Sequence, residues 1–273
     1  MDLTECDGTV QQRVTRVRDS AVSAADDLVV QEMPVSLVYN GISHAVMMCT
    51  PCDLEAFAVG FSLTERLVDR AADILDVAVE RHADSVVIDM TVAREAFARI
   101  KQTRRTLAGR TGCGVCGIES IDLLDLQPQP VRDSSAAREV SPAAIGRAAR
   151  EFPEWQNLMR STGGAHAAGW CSLNGAVLAV MEDVGRHNAL DKLIGTLAGR
   201  DVDLTRGFVF MSSRASYELV RKAARLDIPM IATISAPTSL AIRIAHEAQM
   251  RLVSFCRRDG FVEYCATSAL KPA

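Results

Sequence analysis

The sequence predicts an α/β protein in two unequal parts, a smaller α+β unit followed by a larger sheet flanked by helices. Three observations lead there. The chain has 273 residues, enough for two units that each bury apolar side chains. Strand-like runs gather in hairpins before residue 93, and from Ser141-Pro142 onward short apolar runs alternate with helical periodicity. Such alternation places helices against a largely parallel sheet with an antiparallel edge. The expected divisions are a flexible segment over 1–27, an α+β unit over 28–108, a loop and connection over 109–140, and the larger unit over 141–273.

In the first unit, "VSLVYNGISHAVMM" (35 to 48) reads as two strands around Asn40-Gly41, a turn whose central residues both tolerate positive φ. In "TPCDLEAFAVGFSLTERLV", Thr50 and Asp53 form a capping-box pattern with Pro51 at the first helical position. Leu54, Phe57, Ala58 and Phe61 then share one helical face. Two more strands are expected over 74–92, and "AREAFARIKQTRRTLAGR" is a basic helix ending near Gly109.

The second unit is expected to run as helix 142–151, strand 168–173, strand 176–182 after Asn174-Gly175, helix 186–198 and strand 207–211. Helix 215–226, strand 229–234, helix 237–249 and strands 251–256 and 260–265 complete it. "QPQPVRDSSAARE" has two prolines and no apolar period, and is expected to be a connection.

Composition bounds the function. Hydrophobic residues make up 48% and charged residues 23%, a globular balance. A net charge of -4 argues against a protein that coats nucleic acid, because phosphate backbones need a basic face. The first residues contain no apolar leader, and no run reaches the ~18 apolar residues of a membrane span; a cytoplasmic protein with no membrane association is expected. Its eight cysteines are dilute and expected to be reduced. Cys171, Cys256 and Cys265 lie in apolar runs and are expected to act as small buried hydrophobes.

Chemistry concentrates in "GRTGCGVCGI" (109 to 118), where Cys113 and Cys116 form a C-x-x-C among four glycines. One use is half a zinc site, with Cys49 and Cys52 as the other half, although the 61-residue gap from Cys52 to Cys113 is far wider than in compact zinc ribbons. A thioredoxin-like couple would need a helix starting at the motif. A persulfide carrier would use the glycines to reach two partners, with Arg104, Arg105 and Arg110 favouring the thiolate. The loop alone leaves these open, together with incidental cysteines.

Two strand-to-helix turns follow. "MEDVGRHNALDKLIG" ends a strand at Glu182-Asp183 and opens a helix with Arg186-His187-Asn188; "FVFMSSRASYELVRKAA" places Ser212, Ser213 and Arg214 in the same position. In α/β sheets such turns bind ligands, helped by helix N-termini. Helix capping alone also explains either turn. "SFCRRDGF" adds Arg257 and Arg258 after a strand, to clamp phosphate or to form a solvated hairpin.

Taken together, "RTGCGVCG", "GGAHAAGW", "EDVGRHNALDKLIG", "SSRASYELVRKAA" and "ISAPTSLAIRIA", in this order, closely resemble the FdhD family of formate dehydrogenase accessory sulfurtransferases. "TPCDLEAFAVGF" resembles that family's N-terminal domain, and the likeness spans roughly 28 to 265. The resemblance implies a three-layer, cytidine-deaminase-like C-terminal domain. It implies a sulfur carrier between a cysteine desulfurase and the molybdenum (or tungsten) bis-guanine-dinucleotide cofactor of the formate dehydrogenase catalytic subunit, and a homodimer. Cys113 would carry the persulfide with Cys116 as companion, and Phe255, Cys256, Arg257, Arg258, Asp259 and Gly260 would form the cofactor-binding segment. Arg214, Arg257 and Arg258 suit the pyrophosphates, Asp183 suits the guanine N–H groups, and His187 and Ser213 line the turns. GDP is the natural analogue, and no structural metal is expected. Deaminase catalysis does not carry over, since His166 is followed at the second position by Ala168 where a glutamate would be needed.

Overall fold

The structure is a computed structural model and describes residues 7–105 and 128–266; counts of elements below refer to those residues. It opens with β1 (Thr9–Arg18) and β2 (Ala21–Val30), an antiparallel ribbon in register from Thr9 against Val30 to Arg18 against Ala21. This ribbon takes up most of the segment expected over 1–27, of which residues 1–6 lie outside the described residues. Asp19 and Ser20 make the turn with φ of 48° and 70°, the conformation a two-residue hairpin needs.

The first unit contains β3 (Met33–Tyr39), β4 (Ile42–Cys49), α1 (Leu54–Thr64), β5 (Ile74–Arg81), β6 (Val86–Val92) and α2 (Arg94–Arg105). Its sheet runs β4-β3-β6-β5, with β3 and β6 parallel between two antiparallel hairpin partners. Asn40 and Gly41 turn the first hairpin with positive φ, as expected. Leu54, Phe57, Ala58 and Phe61 are buried, as their spacing predicts. The capping box is not made. Asp53 takes a left-handed conformation with no side-chain cap, and Thr50 Oγ1 instead accepts from the Val184 N–H of the second unit at 3.1 Å.

The second unit contains α3 (Ser135–Glu139), α4 (Pro142–Glu151), α5 (Asn157–Thr162), β7 (His166–Ser172), β8 (Val177–Asp183), α6 (Arg186–Ala198) and β9 (Gly207–Met211). Next come α7 (Tyr217–Arg225), β10 (Met230–Thr233), α8 (Ser239–Glu247), β11 (Arg251–Ser254) and β12 (Val262–Cys265). The six-stranded sheet runs β12-β11-β10-β9-β7-β8. Only β9, β10 and β11 are mutually parallel; β7, β8 and β12 are antiparallel to their neighbours. The expected largely parallel sheet is therefore a parallel centre with antiparallel strands on both sides, because the β7–β8 hairpin joins it as a pair. The expected connection over 127–139 also closes into α3, and α5 was not expected.

The unit has three layers. Ile145 and Phe152 cover Phe208, Phe210 and Met230 on one face. On the other face, α6, α7 and α8 contribute to a core that continues into the first unit, from Leu37, Phe57 and Ile88 to Leu190, Val209 and Ile231. At the junction α1 and α6 cross so closely that a Cβ on Gly60 would lie 1.7 Å from the Asp191 carbonyl oxygen, and one on Gly195 1.8 Å from that of Ala56. Only glycine fits such a contact.

A buried polar clasp lies beside this crossing. Lys222 Nζ donates to both Asp191 carboxylate oxygens at 2.8 and 2.7 Å and to Thr64 Oγ1 at 2.9 Å. Glu65 at the end of α1 meets Lys222, Arg221 and Arg225 of α7 at 3.1 to 3.4 Å. Burial alone would raise the Glu65 carboxyl, but these three cations bring it down to about 2. No helix among the described residues is long and apolar enough to cross a membrane.

Candidate functional site

The strand directions gather the chemistry along one edge of the six-stranded sheet. β9, β10 and β11 are parallel, so their C-terminal ends share that edge. β7 is antiparallel to β9 and brings its first residue, His166, there; β8 is antiparallel to β7 and ends opposite it, with Asp183 in register with His166. The turns after β8, β9 and β10 feed the N-termini of α6, α7 and α8, whose partial positive charge adds to the edge. Backbone bonds fix the turns: Ser212 N donates to Ala167 O at 3.0 Å, and Ser212 Oγ accepts from Ala167 N at 2.8 Å. Ala215 N donates to Ala236 O at 3.2 Å, and its carbonyl accepts from Thr238 N at 2.9 Å.

Four basic side chains cluster around the β7, β8 and β9 ends. Burial lowers the proton affinity of His166, and the charges of Arg186, His187 and Arg214 lower it further, so it is a neutral imidazole among cations at neutral pH. His187 Nε2 lies 3.3 Å from Ser216 Oγ and 3.5 Å from Glu218 Oε2, with both ring and carboxylate largely buried. Burial would raise the Glu218 carboxyl, yet the hydrogen bond and charge of His187, with a bond from Ser216, hold it at about 2. Arg186 Nε is buried and has no hydrogen-bond partner among the described residues, a donor that a bound anion would satisfy. Arg214 is exposed. Positive charge with one carboxylate in contact suits phosphate or another anion.

Asp183 does not play the expected part. Its Oδ2 receives Lys192 Nζ at 2.7 Å and Thr50 N at 3.0 Å, while Oδ1 receives Gly185 N at 2.8 Å and Asn188 Nδ2 at 2.9 Å. The side chain is wholly buried, and its four acceptor directions are occupied, so none is left for guanine. Asn188 is equally structural, donating also to Met48 O at 2.8 Å. Ser213 is buried, with Oγ donating to the Arg214 carbonyl at 3.1 Å. The β8–α6 motif therefore divides: Asp183, Asn188 and Lys192 dock the two units, while Arg186 and His187 serve the edge. The signal for this was Lys192 itself, a lysine between Leu190 and Leu193 on a core-facing helix, which demands a buried acid.

The expected cofactor segment sits at the end of β11. Phe255 is 39% exposed and has φ of 55°, a strained value for an aromatic residue. Cys256 is buried, and burial pushes its thiol up to about 12. Arg257 Nη1 donates to Ile234 O at 2.7 Å and its N–H to Gly260 O at 2.8 Å, while Arg258, Asp259 and Gly260 are exposed. β11 is two strands from β9 and four from β8, roughly 10 and 19 Å at ~4.8 Å per strand. Asp183, His187, Arg214, Arg257 and Arg258 therefore form a row along the edge and not a single focus, with β10 between β11 and β9 and three strands between β11 and β8.

Cys113 and Cys116 lie outside the described residues, as does Arg110. Cys49, Cys171, Cys256 and Cys265 are buried free thiols. Desolvation raises the Cys49 thiol, which also sits near the Asp183 charge, so it is a poor thiolate ligand. The described residues hold no group of three metal-ligating side chains.

The chain matches the FdhD/NarQ family over residues 30–271. It is 60% identical over 261 residues to the sulfur carrier protein FdhD of Burkholderia cenocepacia, covering 94% of each chain. To the protein of the same description from Chromobacterium violaceum it is 56% identical over 265 residues, covering 97% of this chain and 98% of the other. A crystal structure of a candidate formate dehydrogenase accessory protein from Desulfotalea psychrophila superposes with a TM-score of 0.68 at 23% identity, over 94% of this chain and 97% of that one. That likeness is one of fold. The family match spans both structural units, the Gly60–Gly195 crossing and the cationic edge, and on this basis the chain belongs to the FdhD/NarQ family.

Proposed function

We propose that the chain is a sulfur carrier for formate dehydrogenase maturation: Cys113 accepts sulfur from a cysteine desulfurase persulfide and delivers it to a molybdenum bis-guanine-dinucleotide cofactor held along the sheet edge. Near-complete alignment with relatives described as sulfur carrier proteins supports the transfer. The observation that carries the cofactor half is the row of His166, Arg186, His187, Arg214 and Arg257 along one edge, with Arg186 Nε lacking a partner among the described residues. A bis-dinucleotide cofactor, with one pyrophosphate in each of its two halves, needs cations spread over such a length, not one compact cluster.

In the loading step the Cys113 thiolate attacks the outer sulfur of the desulfurase persulfide. Its new S–S bond forms as the donor's S–S bond breaks, and the desulfurase cysteine leaves as thiolate. No net oxidation occurs. Cys116, three residues on in the sequence, helps hold or release that sulfur. The test is intact-mass analysis of the full chain after incubation with a cysteine desulfurase and cysteine. A gain of about 32 Da, one sulfur atom, that is lost on reduction is expected. It should be absent in Cys113→Ala and retained in Cys171→Ala. Equal sulfur loading of Cys113→Ala would remove Cys113 from its role.

A further inference from the structure

The sulfur-carrier reading, on which this inference rests, leaves open where the donor of that sulfur docks. α2 leads into the C-x-x-C, and its burial is one-sided. Ala96 and Ile100 are buried and Phe97 packs against the same core, whereas Arg94, Ala98, Arg99 and Lys101 are exposed. Apolar residues at this spacing hold one face of a helix on the core and turn the other to water. That outer face is basic. Lys101 Nζ lies 4.6 Å from the Phe97 ring centroid, a contact that orders the ammonium and leaves it exposed. Arg94 and Lys101 make no ion pair among the described residues, while Arg99 meets the exposed Asp69 at 2.9 Å.

Charge is unevenly placed along the chain. Residues 32–89 hold ten acidic and three basic residues, but from Arg94 to Arg110 there are six basic residues and one acidic, Glu95, in a chain whose net charge is -4. The next acidic residues, Glu119, Asp122 and Asp125, all follow Cys116, so basic charge enters the motif from the helix side alone. α2 ends at Arg105, eight residues before Cys113, a length of chain that spans at most about 28 Å. A protein seated on α2 is therefore within reach of that thiol. We propose that the exposed face of α2 is the docking surface for the persulfide donor and fits an acidic protein surface. The sheet edge has its own cations for the cofactor, so loading uses the first unit and delivery the second. Opposite charge steers encounter and raises association rates by roughly 10- to 1,000-fold, an effect that salt screens.

The test compares two donors on the full chain, following the gain of about 32 Da by intact mass over time. One is a cysteine desulfurase supplied with cysteine; the other is cysteine persulfide, which brings no protein surface. R94E/K101E reverses the two unmatched charges, and an acid in the first turn suits the helix dipole, so α2 is kept. R138E/R200E makes the same change of net charge at exposed positions of the second unit. Wild type is expected to load from the desulfurase more slowly as salt is raised. R94E/K101E should load roughly tenfold more slowly than wild type at low salt and respond little to added salt, with R138E/R200E close to wild type. All three should load alike from cysteine persulfide. Equal desulfurase rates in wild type and R94E/K101E would overturn the proposal. So would an equal slowing of R138E/R200E, a slowing of R94E/K101E with cysteine persulfide as well, or loading of wild type by cysteine persulfide alone. Failure of wild type to gain sulfur from either donor would instead remove the carrier reading on which the proposal rests.

Discussion

The ammonium of Lys192 and the carboxylate of Asp183 meet at 2.7 Å with neither side chain exposed to solvent. Lys192 Nζ also donates to the Thr50 carbonyl at 2.9 Å, and Asp183 accepts from the Thr50 N–H. The pair therefore clamps the end of the first unit's hairpin onto the turn that carries Arg186 and His187. Removing one partner leaves the other charged and buried. K192M should cost about 3–5 kcal/mol in urea unfolding. The double variant D183N/K192M should lose much less than the sum of the single variants. Additive losses would show that the two charges do not depend on each other.

The glycine crossing gives a prediction of another kind. A methyl group at Gly195 would sit 1.8 Å from the Ala56 carbonyl oxygen, and backbone cannot swing aside as a side-chain tip can. G195A and G60A should each force α1 and α6 apart, costing roughly 1–3 kcal/mol or more and lowering Tm by about 2–4 °C per kcal/mol. Gly41 is the control: it has φ of 76° but nothing within 4 Å of an added Cβ. G41A should cost only about 1 kcal/mol of backbone strain. If G195A melts like wild type, the helices are not in the contact described.

Positions whose conformation is set within a few residues were legible in the sequence. Asn40-Gly41 and Asn174-Gly175 announced hairpins because their turns need positive φ, and both glycines have it. The ribbon at Asp19-Ser20 adopts the same geometry without glycine, and so gave no signal. Pairings distant in sequence were not legible: nothing local states that β7 lies antiparallel to β9. Thr50 shows the same limit at one residue. It carries a helix-capping pattern, but its hydroxyl bonds to Val184, 134 positions away. Likewise, the glycine between strand and helix located the cationic edge without revealing that Asp183 turns inward and His187 does not.

Acid stability should report on Glu65. Its carboxyl is held at about 2 by Lys222, Arg221 and Arg225, below its value of ~4.3 in an unfolded chain. A folded value below the unfolded one means the group stabilises the fold at neutral pH, and this contribution fades as pH falls from about 4.5 toward 2. Denaturation at a series of pH values should show a shallower acid slope for E65Q than for wild type. Above pH 5 the two curves should run parallel, with E65Q lower because the three α7 cations have lost the Glu65 carboxylate. Identical acid slopes would mean that Glu65 is not held down by the α7 cations.

The arrangement of cations as a row predicts two separable effects on nucleotide binding. Arg214 is exposed at the β9 end near Arg186, while Arg257 is fastened by Nη1 to Ile234 O and continues into exposed Arg258 at the β11 end. Each arginine lost from a phosphate contact removes a charge-assisted hydrogen bond of ~1.5–3 kcal/mol, about ten- to a hundredfold in affinity. GDP carries one pyrophosphate and can occupy one end of the row at a time. R186A/R214A and R257A/R258A should therefore differ: the pair at the preferred end should weaken GDP strongly, and the other pair only slightly. A ligand with two linked guanine dinucleotide halves, and so two pyrophosphates, can span the row and should be weakened by both. Added salt should lower the affinity of wild type more than that of either double variant, because each variant has fewer cations to screen. Calorimetry with GDP and with that two-pyrophosphate ligand against the three proteins decides the matter. Equal GDP affinity in all three would remove the arginine row from nucleotide binding, and Arg257-Arg258 would then be a solvated hairpin.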